Sequence, residues 1–168
     1  MRKTIAALLL VFTAGTLGCG GSSSPTSPDD GGKSSGCQGN PSTGTLTATI
    51  DGVAWKPTAV TARHSAPNLS NMSLEVDSTD AACNLFGFII SPGGTLTTGT
   101  YQIGASGTNA NYISVGGTPA WTAVGSRGSG TISLNTLTGS TATGTFNFVL
   151  VGTSSSKTVT NGTFNVSF

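Results

Sequence analysis

The chain is poor in almost every residue type that does chemistry. It has one histidine, His64, three cysteines and only 8% charged residues in a length of 168. One histidine excludes any site that needs two, and neither a His-Glu-x-x-His string nor a Cys/His zinc spacing occurs. Seven basic and six acidic residues form no basic stripe, which excludes nucleic acid as a partner. Aromatics make up 7%, too few for the girdles of a lipid-facing outer-membrane barrel, whose strands also need about 9–11 residues. The terminal Phe164, Val166 and Phe168 alternate as in such a barrel's closing strand, but Gly162 and Thr160 break the alternation and most apolar runs are shorter. After the first 18 residues no segment has the three-to-four spacing of an amphipathic helix.

What is present begins with the first nineteen residues. Met1-Arg2-Lys3 is a cationic head, Ile5 to Phe12 is unbroken apolar sequence, and Gly15-Thr16-Leu17-Gly18-Cys19 closes with small residues. That order marks a secretory signal, and the apolar run is far short of the roughly 20 residues of a spanning helix. Gly15 to Cys19 resembles the lipobox of bacterial lipoproteins, with Thr16 where that family usually has leucine. The resemblance implies cleavage after Gly18, a diacylglyceryl thioether on Cys19 and an acylated amino terminus. Each buried CH₂ contributes about 0.8 kcal/mol, so two or three chains hold a protein on its membrane. Gly20-Gly21 follow the cysteine with no aspartate beside it, which under enteric-type sorting points to the outer membrane. Loss of Arg2 and Lys3 with the leader takes the formal charge from +1 to about −1.

The expected organisation is a signal peptide over 1–18, the lipidated cysteine and a tether over 19–43, and one domain over 44–168. Gly20 to Gly36 has no apolar residue to bury and cannot offset its chain entropy. Some twenty residues of this composition hold a domain roughly 25 Å from a bilayer. With Cys19 assigned to lipid, export to an oxidising compartment predicts that Cys37 and Cys83 pair, the alternative being two free or buried thiols. Closing that loop contributes up to roughly 4 kcal/mol in the chain-entropy account.

From Thr45 the pattern has period two. Leu46, Ala48 and Ile50 alternate with threonines, and Asp51-Gly52 supplies a turn. Met72-Leu74-Val76, Leu85 to Ile90, Tyr101-Ile103, Tyr112 to Val115, Trp121 to Val124 and Ile132-Leu134 follow between glycine-rich breaks. Phe146-Phe148-Leu150 and Phe164-Val166-Phe168 close the chain. Twenty-five glycines and this spacing predict an all-β fold, a single antiparallel β-sandwich of about eight to ten short strands, with a small closed β-barrel as the alternative. Gly144-Thr145-Phe146-Asn147-Phe148 is echoed by Gly162-Thr163-Phe164-Asn165-Val166. Two copies are too few for a solenoid, so the expectation is two neighbouring core strands with Phe inward and Thr and Asn outward.

Ala48-Thr49-Ile50-Asp51-Gly52-Val53-Ala54-Trp55, Gly99-Thr100-Tyr101, Gly144 to Phe148 and Asn161 to Val166 together resemble a group of uncharacterised bacterial lipoprotein domains. The resemblance spans Leu46 to Phe168 through short, turn-dominated motifs. It implies an all-β exported module and brings no catalytic residues.

Candidate sites are few. Gly32-Lys33-Ser34-Ser35-Gly36 matches a nucleophile-elbow string, but that serine must sit on a strained strand-to-helix turn and here lies in the tether. The same Lys33-Ser34 lacks the upstream glycine of a phosphate loop, because Ser27 is there. His64 in Arg63-His64-Ser65 reads as a solvated strand end rather than a triad member. Glu75 and Asp77 at i, i+2 share a strand face, with Asp80 just beyond, and are weak candidates for calcium or, more remotely, for the paired carboxylates of a glycosidase, against an exposed polar face. Trp55, Tyr101, Tyr112 and Trp121 are the ligand-binding candidates, as rings that could stack on sugars, against a plain role in the core.

These residues predict a lipid-anchored protein of the bacterial envelope, at the outer membrane, with no enzymatic activity and no cofactor. The leading expectation is a binding or adhesion module for an extracellular polysaccharide or an envelope partner. The rivals are an accessory envelope protein with protein–protein contacts only and, last, a hydrolase.

Overall fold

A computed structural model describes residues 42–65 and 72–168. The leader, Cys19, the tether and Cys37 lie outside the described residues. The described part is all-β. Eleven strands follow in order: β1 (Gly44–Ile50), β2 (Val53–Trp55), β3 (Pro57–His64), β4 (Leu74–Asp80), β5 (Leu85–Ile90), β6 (Gly99–Gln102), β7 (Asn109–Ile113), β8 (Ala120–Ala123), β9 (Ser129–Leu137), β10 (Thr141–Val151) and β11 (Ser156–Ser167). Every pairing is antiparallel, and the main path runs β2-β1-β11-β10-β8-β7-β5-β4-β3, with β9 also on β10 and β6 on β9.

The sheet nearly closes on itself. At one seam β10 meets β8 through a single pair, Val151 with Thr122. At the other, Thr43 links β3 to β11: its N–H donates to Val60 O at 2.7 Å and its carbonyl accepts from Ser167 N at 2.7 Å. The fold is thus a barrel with two weak seams, equivalent to two sheets packed face to face.

Phe86 and Phe88 on β5 meet Phe146 and Phe148 on β10 and Phe164 on β11, with ring centroids 5.2 to 6.5 Å apart. All five rings are buried, with Leu46, Leu74, Ile90, Ile132, Leu134 and Leu150 around them. The outward face is hydroxyl-rich, with pairs such as Thr47–Thr163 and Thr136–Thr143, each at 2.7 Å. An apolar interior under a polar exterior is the reverse of a lipid-facing barrel.

The repeated Gly-Thr-Phe-Asn segments are neighbours, as expected, and register adds a reason for the glycines. Gly144 faces Phe164 and Gly162 faces Phe146. A β-carbon on Gly144 would lie 2.6 Å from Phe164 Cε1 and Cζ, and one on Gly162 would overlap Phe146 Cδ2 and Cε2. Each glycine is the space that the other strand's phenylalanine fills.

Three details differ from the expected strands. The strands are not all short: β10 has 11 residues and β11 has 12. The broken alternation at Thr160 and Gly162 is a β-bulge inside β11. Phe146 pairs with Gly162 and Phe148 with Val159, so β11 carries one extra residue. Asn161 takes the left-handed conformation there, φ 53°, which asparagine tolerates. The strand count also exceeds eight to ten, because β2 and β3 carry weak periodic signals. In β3, Ala59 and Val60 are buried side by side after a register shift against β4, so alternation fails there.

Candidate functional site

Register brings the aromatics together. One inward row crosses five strands: Val60 on β3, Ser78 on β4, Phe86 on β5, Tyr112 on β7 and Trp121 on β8. Trp55, at the end of β2, folds over this row. Its ring meets Phe86 edge-on at 6.1 Å and Tyr112 at 5.7 Å, and Tyr112 meets Trp121 at 5.7 Å, again near perpendicular. Trp55 is buried; its Nε1–H donates to Ser78 Oγ at 3.0 Å, and Ser78 donates onward to Phe86 O at 2.7 Å. Tyr112 and Trp121 are half-buried, and Trp121 Nε1–H donates to Ser155 Oγ at 2.9 Å. Tyr101 is apart from them on β6, its hydroxyl bonded to the backbone of Thr97.

Lys157 and Asp51 complete this end, and sequence reasoning singled out neither as a site residue. Asp51-Gly52 forms a two-residue hairpin with φ of 51° and 81°, the type I′ geometry that suits the twist of β1 and β2. The Asp51 carboxylate accepts from Thr158 N at 2.8 Å and from Lys157 Nζ at 3.1 Å. Burial acts to raise the Asp51 pKa, but those two donors outweigh it and hold the carboxyl below its ordinary value. Lys157 Nζ lies 4.5 Å from the Trp121 ring centroid and 4.9 Å from that of Tyr112. Burial, then the charges of Asp80 and Asp51, raise the Tyr112 pKa. One sequence signal for Lys157 existed: it is in phase with the buried Val159, a charge on an inward strand position.

A cavity of about 530 Å³ opens beside the cluster, lined by Trp55, Tyr112, Lys157, Asp51, Lys56 and Asp80 among others. Trp121 does not line it; with Pro119 and Ser155 it lines a second hollow. The Asp51 hairpin is at the far end of β1 from Thr43, because β1 runs from Gly44 beside Val166 to Ile50 beside Val159.

The three acidic candidates are split. Asp80 is absorbed in the turn after β4, accepting from Ala82 N, Asn84 N and Asn84 Nδ2, each at 2.9 Å. Glu75 and Asp77 face a separate outer groove with Asn109 and Asn111. Burial first, then the neighbouring Glu75 charge, raise the Asp77 pKa to about 6 against an opposing pull from Arg63. Among the described residues no group of three or more His, Cys, Asp or Glu is placed to hold a metal. Cys83 lies in the turn beyond Asp80, its N–H on Asp80 O at 3.0 Å. His64 ends β3 with its ring 4.9 Å from that of Phe168; its Nε2 is buried with no hydrogen-bond partner among the described residues.

Comparison with protein-family models, curated proteins and solved structures finds no match to this chain.

Proposed function

We propose that the protein is a lipid-anchored, non-catalytic binding module of the bacterial envelope, and that it takes an extracellular polymer at the Trp55–Tyr112–Trp121 end of the barrel. The observation that carries this reading is the cavity of about 530 Å³ walled by the buried Trp55 and the half-buried Tyr112, with the charged groups of Asp51, Lys56, Asp80 and Lys157 in its lining. Such a combination of apolar wall and few oriented polar groups is what small-ligand recognition uses. The accessory-protein rival would need a broad exposed apolar patch. The exposed large hydrophobics among the described residues are Val53, Val115, Val124 and Val149, on four different segments.

The test is a glycan and envelope-polymer binding screen on the full chain carrying Cys19→Ala, followed by Tyr112→Ala. A bound polymer lost up to about tenfold on Tyr112→Ala supports the reading, by the usual worth of a stacked ring. No polymer bound, with one specific protein recovered by cross-linking in cells, would hand the case to the accessory role.

A further inference from the structure

The Lys157 ammonium occupies a position that has the parts of a cation site. Two aromatic walls meet it, Trp121 at 4.5 Å and Tyr112 at 4.9 Å to the ring centroids. The rings stand at 66° to each other, so they form a corner rather than a flat platform. A carboxylate closes the third side, Asp51 Oδ2 at 3.1 Å. Ring faces are electron-rich and attract a cation within about 6 Å, more strongly when water is partly excluded. The Lys157 side chain is only 20% exposed, so water is partly excluded. Asp80, at the rim of the same cavity, adds negative potential near Tyr112.

We propose that this corner is a binding site for organic ammonium groups, self-occupied by Lys157, and that the ligand's primary or quaternary ammonium takes the place of the lysine head. The inference rests on the aromatic end being the binding end, and names the ligand chemistry there. The position of Lys157 makes the exchange feasible. It sits on β11 opposite Leu150, close to the strand's start, and its flexible stem can lift the ammonium towards the open cavity without moving the sheet. Asp51 stays behind, held by the Thr158 N–H, and would receive the incoming cation. A neutral sugar can offer the carboxylate only hydroxyl hydrogen bonds and would have to displace the lysine without replacing its charge. The site thus selects polymers bearing free amino or trimethylammonium groups over neutral ones.

The experiment titrates the full chain carrying Cys19→Ala with tetramethylammonium and methylammonium chloride, read by tryptophan fluorescence against matched NaCl. The same is done in a Lys157→Met background, which keeps the apolar stem and vacates the cage. Affinity for the ammonium ions should rise roughly tenfold in Lys157→Met, the competing lysine having been removed. Neopentyl alcohol, of similar shape but uncharged, should bind no better in the variant than in the parent. An unchanged or lower ammonium affinity in Lys157→Met, or equal gains for the neutral probe, overturns the proposal. Asp51→Asn covers the case in which Lys157→Met does not fold: asparagine keeps the hairpin geometry, and ammonium affinity should fall. A partly deacetylated glucosamine oligomer and phosphatidylcholine vesicles then separate the two sources of the group. Oligomer binding supports both readings, whereas vesicle binding alone keeps the ammonium site and refutes the polymer as its ligand.

Discussion

Gly162 offers the sharpest test of how the core is built. Its Cα is opposite Phe146 on β10, and a β-carbon there would overlap Cδ2 and Cε2 of that ring and lie 2.5 Å from Phe146 O. Phe146 cannot move aside, because it is 1% exposed and packed among Phe86, Phe88, Phe148 and Phe164. Gly162→Ala must therefore spread β10 from β11 or drive the ring off its rotamer. Overpacking of this kind costs about 1–3 kcal/mol, and a contact with both ring and backbone belongs at the upper end. Restricting the unfolded chain returns about 0.4–1 kcal/mol, leaving a net loss of about 2 kcal/mol. For a domain of this size that is a fall of roughly 8 °C in Tm. Thermal unfolding followed by circular dichroism measures it. Gly139→Ala is the control, since a β-carbon there meets nothing within 4 Å, and its Tm should stay within roughly 2 °C. Combining Gly162→Ala with Phe146→Leu should cost less than the sum of the two singles by about 1 kcal/mol, because the shorter side chain relieves part of the overlap. A Gly162→Ala protein that melts with the parent, or a cycle with no coupling, would refute the reciprocal Gly–Phe account.

Asp77→Asn should stabilise the protein near pH 7.5 by about 1 kcal/mol after discounting for solvent screening, and by less near pH 4. The sign follows from a folded pKa of about 6, above the ordinary carboxylate value: the native state binds the proton more tightly, so stability falls as pH rises through about 4 to 6 and then levels. Urea unfolding at several pH values reads this out, and a parallel loss in both proteins would count against it. Ser78→Ala strands the buried Trp55 N–H and should cost about 1–3 kcal/mol in denaturant unfolding; an unchanged midpoint would mean another acceptor takes over. Cys19→Ala should move the protein from membrane to soluble fraction, and unaltered membrane association would sink the lipid anchor. Non-reducing peptide mapping of the native protein should recover Cys37 joined to Cys83, whereas two alkylatable thiols would rule the bridge out.

The sequence by itself determined the fold class. Alternation in Thr45–Ile50, Phe146–Leu150 and Phe164–Phe168 leaves one apolar face per segment, and such faces can be buried only by a second layer of sheet. It also determined the Asp51-Gly52 hairpin, whose left-handed pair of residues is a local requirement. Which strands are neighbours was not local. Trp55, Tyr112 and Trp121 are far apart in the chain and meet only because register puts Ser78, Phe86, Tyr112 and Trp121 in one row, while Tyr101 pairs into β6 and β9 and is carried elsewhere. Glu75 and Asp77 part from Asp80 because Asp80 ends β4 out of phase with them and the turn that follows takes its carboxylate. Lys157 needed both levels. Its phase with Val159 is written in the sequence, but the rings and carboxylate that receive its ammonium come from β7, β8 and the hairpin after β1. Period-two patterning decides which way a side chain points; only long-range pairing decides what it points at.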